Sequence, residues 1–259
     1  MKKVIIIILG TILALIATLV IVISIIANKN VKSMNNCIDS VMNTLKSHYT
    51  VTSIDTGDYS EMTLKKVMKF HVEQYKIEEL GNLSIMRVNM GFMQMATVVL
   101  TPQHKNMPLL SADFMYILSK RKAYLEFYDV VETKDDDYNT LLANLSDTIN
   151  KYDSLEDITA SPAWYEHLLT VTVYKGGNFD ADETLSCMLN DNLAVYLEHA
   201  KNLPLLSEEE KAKKLDITIE YTDGLIEKGG ISTDFFKAEF GNEKTKDFFD
   251  KVFFGTLQK

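Results

Sequence analysis

The stretch TPQHKNMPLLSADFMYILSKRKAYLEFYDV, residues 101–130, decides how the chain is read. Residues 109–118 form an apolar run of strand length, SKRK supplies a turn, and AYLEFYDVV returns as a second strand. Set into the first strand is one carboxylate, Asp113, which alternation places on the face of Ser111, Met115 and Ile117. An ionised carboxylate withdrawn from water costs several kcal/mol unless it is paired or protonated. Either a partner such as Arg87 neutralises Asp113, or the site holds a proton at an unusual pH.

Before this hairpin, MKFHVEQYKI (residues 68–77) alternates, with Phe70, Val72 and Gln74 on one side and His71, Glu73 and Tyr75 on the other. LSIMRVNMGFMQMATVVL (83–100) reads as a bent strand or two short ones broken at Gly91, and residues 51–61 read as a polar turn. After the hairpin the period changes. Leu141, Leu142, Leu145 and Ile149 have helical spacing, and WYEHLLTVTVY predicts one more strand. Asp180 with Glu183, and Ser207 with Glu210, have the spacing of capping boxes. Two short amphipathic helices joined at Gly241 end the chain. Hairpins clustered centrally and flanked by helices predict an α+β domain, an antiparallel sheet covered on its faces.

The N-terminus has a different character. Residues 4–27 carry no charge, and as a helix they would extend roughly 36 Å, enough to cross a hydrocarbon core. We therefore expect a single-pass anchor over residues 1–29, an amphipathic connecting helix over 30–50 using Val31, Met34, Ile38, Val41 and Leu45, and a domain over 51–259. Lys2 and Lys3 are nearly balanced by Lys29 and Lys32, so charge barely favours placing the domain outside the cytoplasm.

A net charge of −9 argues against a nucleic-acid surface. Two cysteines are too few for a disulfide framework. Glycine-rich phosphate loops, zinc-type Cys/His pairs and dinucleotide fingerprints are absent from the sequence. Met86, Met90, Met93 and Met95 read as core filler.

With Pro102, Pro108 leads five positions later to Asp113, KKVMKFHVEQYKI carries His71 and Glu73, ITASPAWYEHLLTVTVY contains a Ser-Pro strand, and FFKAEFGNEKTKDFFDKVFFG closes the chain. Together these segments resemble the ferredoxin-dependent bilin reductases over roughly residues 62–256. The resemblance implies a three-layer α/β/α sandwich holding a linear tetrapyrrole between the sheet and the C-terminal helices. It implies no bound cofactor: single electrons come from ferredoxin or flavodoxin, and the protein supplies protons as CH–CH bonds of a biliverdin-like substrate are reduced. Asp113 is then the chief proton donor and Glu73 a second. His71, Arg87, Thr97 and Met115 are the expected substrate contacts, with Arg87, Lys120 and Arg121 candidates for the propionates. Such chemistry would put the domain on the cytoplasmic side of the cell membrane.

The sequence departs from the family pattern in three places. Thr97 stands where many members have histidine, the nearest match to a C-terminal aspartate is Asp234, and the only tryptophan is Trp164 rather than one in the last helix. These departures leave open a non-catalytic module that binds a tetrapyrrole or another apolar ligand at the membrane, or an anchored domain with an interaction role outside the cytoplasm.

Overall fold

Alternation in the central strands produces one large antiparallel sheet. The structure, a computed structural model, describes residues 2–257. Nine strands are present among the described residues: β1 (Val51–Ile54), β2 (Glu61–Leu64), β3 (Met68–Ile77), β4 (Gly81–Asn89), β5 (Met93–Pro102), β6 (Leu109–Ile117), β7 (Lys120–Tyr128), β8 (Glu156–Asp157) and β9 (Leu169–Gly177). Their order is β1-β3-β4-β5-β6-β7-β9-β8, with β2 pairing beside β1 on β3. The segment expected as a polar turn therefore supplies edge strand β1, whose backbone pairs Val51–Ile54 with Gln74–Ile77.

Helices cover both faces of the sheet, making the three-layer sandwich. One face packs against α1 (Lys2–His48), α2 (Asp136–Ile149) and α3 (Asp182–Asn202) through Ile85, Val98, Ala112, Phe114 and Leu125 of the sheet. The other packs against α4 (Glu208–Lys228) and α5 (Ile231–Phe248) through Phe70, Val72, Met86, Val88 and Leu109. With both faces covered, the central strands are buried almost throughout, including polar residues such as Asn82, Ser84 and Thr101.

Two local expectations change. The β6–β7 turn is tighter than SKRK, because Lys120, Arg121 and Lys122 already pair with Ile117, Tyr116 and Met115. Asp180 caps no helix: it lies in a 3₁₀ turn, so the N-cap falls on Ala181, which makes no side-chain cap bond. The Ser207–Glu210 box does form. Gly241, at φ 78°, breaks α5 as the sequence suggested.

Helix α1 is continuous from Lys2 to His48. The side chains described between Ile6 and Ile25 are almost all exposed, and this part is long and apolar enough to span a membrane. From Asn30 onward the helix enters the core, burying Met34, Cys37, Ile38, Val41 and Leu45. Residues 30–48 are thus a structural layer of the domain rather than a connector. Each such aliphatic side chain contributes about 1.5–3 kcal/mol of burial.

Candidate functional site

Residues 109–117 form β6, and its register with β5 and β7 determines what Asp113 meets. Asp113 lies opposite Thr97 on β5 and opposite Tyr124 on β7. The Thr97 hydroxyl donates to Asp113 Oδ1 at 2.5 Å. This is the sole side-chain hydrogen bond to Asp113, and no cation pairs with it, among the described residues. Arg87, the partner the sequence offered, is engaged elsewhere.

Asp113 lines a cavity of about 630 Å³ between the sheet, α5 and the loop over 158–166. That volume falls in the ~300–1,000 Å³ range of small-molecule sites. Its walls are mostly apolar: Phe70 and Val88, Met95 and Met115 come from the sheet, Phe235 and Phe236 from α5. Met68, Met90 and Met93 extend the lining, so three of the four methionines read as core filler face the cavity, and only Met86 is buried in the core. Unbranched thioether chains give such a wall an adaptable shape.

Removal from water pushes the Asp113 carboxyl up from 3.8 to about 6, with the Thr97 hydroxyl pulling it down and the Glu126 charge adding a rise. Near neutrality the group is therefore poised to give up or accept a proton.

Glu126 went unnoticed among the sequence candidates. It shares the cavity wall with Asp113, because Tyr124, Glu126 and Tyr128 alternate onto that face of β7. Its carboxylate accepts from the Tyr174 hydroxyl at 2.9 Å and from the Tyr128 hydroxyl. Tyr128 in turn packs on Tyr165 and Tyr221, with ring centroids 5.7 and 5.0 Å away. Burial, with the charge of Glu126, holds Tyr128 and Tyr174 protonated. The signal was present in the acidic-aromatic alternation of YLEFY.

The other candidates divide by face. Thr97 and Met115 join Asp113. Glu73, His71 and Arg87 do not. In the β3–β4 register Phe70 pairs with Val88 and Val72 with Met86 on the cavity side, so His71, Arg87 and Glu73 project from the opposite face. There Glu73 forms an ion pair with Arg87 and accepts from Tyr75 at 3.1 Å, while His71 bonds Glu61 at 2.6 Å. The structure thus places Glu73, expected as a second donor, in an ion pair across the sheet from the cavity, with His71 and Arg87, expected as substrate contacts, on that same far face. The cause is the period of two: one position along a strand changes the face.

Arg121 is also consumed, by Asp182 and by Asn30 at 2.9 Å, on the α1 side of the sheet. Lys120 is exposed at the tip of the β6–β7 hairpin. Asp234 is exposed, 3.7 Å from Lys237, next to but not within the cavity wall that Phe235 contributes. Trp164 packs closely against Gly224, where any Cβ would lie 2.3 Å from the ring, and donates to the Gly229 carbonyl at 2.8 Å. It thereby fastens the 158–166 loop, one wall of the cavity, to α4.

Neither family models nor curated protein sequences match the chain. Among solved structures, phytochromobilin synthase from tomato in complex with biliverdin superposes with a TM-score of 0.68 at 13% identity. The match covers 87% of this chain and 84% of that one. The likeness is one of fold: this chain has the antiparallel-sheet sandwich of that biliverdin-bound protein.

Proposed function

We propose that the cavity binds an open-chain tetrapyrrole and that Asp113 protonates it during reduction by single electrons from ferredoxin or flavodoxin. The observation that carries this reading is a carboxyl without a cationic partner on the wall of an apolar cavity, held by one threonine hydroxyl. Similarity of fold to a biliverdin-bound protein supports the choice of ligand.

Reducing one carbon–carbon double bond takes two electrons and two protons. The first electron leaves a substrate radical anion, which takes a proton from Asp113, and the second electron and a second proton, delivered once Asp113 has been reprotonated, complete the CH–CH bond. Asp113 is reprotonated from solvent, with Glu126 and the two tyrosine hydroxyls that donate to it on the same wall. Propionates would leave the pocket beside Lys122, which follows the same face of β7, and Lys65, whose ammonium lies 5.1 Å from the Phe235 ring. Helix α1 would hold this chemistry at a membrane.

A second reading is a binding module without turnover. It is favoured by Thr97 in the place of a histidine and by Glu73 facing away from the cavity. Anaerobic incubation of the full chain with biliverdin and reduced ferredoxin separates the two. The enzymatic reading expects consumption of biliverdin, slowed at least about 10²-fold in Asp113→Asn, the usual scale of a lost general acid. Binding with no turnover supports the module, and equal rates in parent and Asp113→Asn remove Asp113 from the mechanism.

A further inference from the structure

Helix α1 determines which edge of the sheet faces the segment that is long enough to span a membrane. Asn30, fully buried, donates to the Leu118 carbonyl at 3.0 Å and accepts from Arg121, pinning the helix beside the β6–β7 turn. At its far end, His48 leads into β1, whose Val51 pairs with Ile77 at the opposite edge. The 18 residue steps from Asn30 to His48 span roughly 27 Å of helix, about the length of a nine-residue strand. Residues before Asn30 therefore project beyond the edge formed by the β2–β3, β4–β5 and β6–β7 turns.

That edge carries unusual side chains. Outside α1, six large apolar residues are exposed among those described, and four lie there: Val67, Phe92, Leu118 and Phe235. Phe92 and Leu118 are in contact, since the Leu118 amide donates to the Phe92 carbonyl at 3.1 Å. The exposed lysines Lys29, Lys66 and Lys120 share this edge, in a chain whose net charge is −9. The cavity reaches the same edge, for its lining residues Met68, Met90 and Met93 flank Val67 and Phe92 in sequence.

We propose that this edge lies on the anionic surface of the bilayer that α1 crosses, with Phe92 and Leu118 among the headgroups and the cavity opening at the lipid surface. Apolar ligand would then exchange between the cavity and the membrane without crossing water. The proposal rests on residues 4–27 being a membrane span and does not depend on what ligand the cavity takes. Exposed apolar tips beside exposed lysines fit a headgroup region, which accepts both, although the exposed Asp180, Glu183 and Asp234 also lie near this edge. Continuity of α1 through Asn30 selects this edge over any other.

The test uses the full chain, with Cys187→Ser removing the exposed thiol, reconstituted in phosphatidylcholine vesicles with and without phosphatidylserine. An environment-sensitive fluorophore is attached at Phe92→Cys, Leu118→Cys or, as the control at the opposite edge, Leu205→Cys. Doxyl-labelled lipid is expected to quench the first two at least about twofold more than the third, more so with phosphatidylserine present. Equal quenching at all three positions, or none at 92 and 118, overturns the proposal. No ligand enters the assay, so this result and the ligand reading stand or fall separately.

Discussion

Thr97 and Asp113 are register partners on neighbouring strands, and the threonine hydroxyl donates to the carboxyl oxygen at 2.5 Å. A hydroxyl donor favours the ionised carboxylate, while burial favours the protonated acid and wins. The pair therefore tunes where Asp113 exchanges its proton. Thr97→Val removes the donor at nearly constant volume. We expect the Asp113 titration, followed by carboxyl NMR or by the pH profile of substrate reduction, to move above about 6. An unchanged or lowered midpoint would show that Thr97 does not set it.

Asp113 also trades stability for this poise. Below 3.8 the acid is protonated in both folded and unfolded chains and contributes nothing. Between 3.8 and about 6 the folded state binds the extra proton, so stability falls as pH rises, and above about 6 the full penalty is present. A shift of this size corresponds to about 2–3 kcal/mol. Asp113→Asn should therefore raise the melting temperature by roughly 5 °C at pH 8 and by almost nothing at pH 4. A gain independent of pH would point to packing instead.

Glu73 supplies the contrasting case. Paired with Arg87 on the other face of the sheet, it should matter to the fold and not to the cavity. Glu73→Gln is expected to change ligand affinity and any turnover less than about twofold and to cost about 1 kcal/mol in chemical denaturation. A loss of turnover as steep as that of Asp113→Asn would contradict the placement.

The two halves of α1 should separate cleanly. Ile38, fully buried against the sheet, should cost about 3 kcal/mol as Ile38→Ala. Deleting residues 2–27 should leave the domain's unfolding transition in place, whereas deletion through residue 48 should abolish it, as measured by near-ultraviolet circular dichroism.

Much of this architecture was legible because period and punctuation are local. Gly91 marked the β4–β5 turn, Gly241 the break in α5, and alternation put Asp113 with Met115 on one face. What was hidden depends on register between strands far apart in sequence. Nothing in HVE says which face of β3 will meet α5; that follows from pairing with β4, and it carries Glu73 away from the cavity. The edge strand β1 was missed because two half-buried residues flanking exposed Thr52 and Ser53 leave little apolar pattern. Glu126 was missed for the opposite reason: its strand was recognised and Tyr128 stood two residues on, but its hold by Tyr174 is visible only once β7 and β9 lie side by side.

The most direct measurement is a titration of biliverdin into the full chain in detergent, followed by visible absorbance, beside Met95→Trp, which fills the cavity without touching Asp113. A buried, protonating pocket should shift the pigment's long-wavelength band with one-to-one saturation, and Met95→Trp should weaken binding at least about tenfold. If biliverdin produces no shift, or binds the filled cavity as well as the open one, the pigment does not occupy the space beside Asp113.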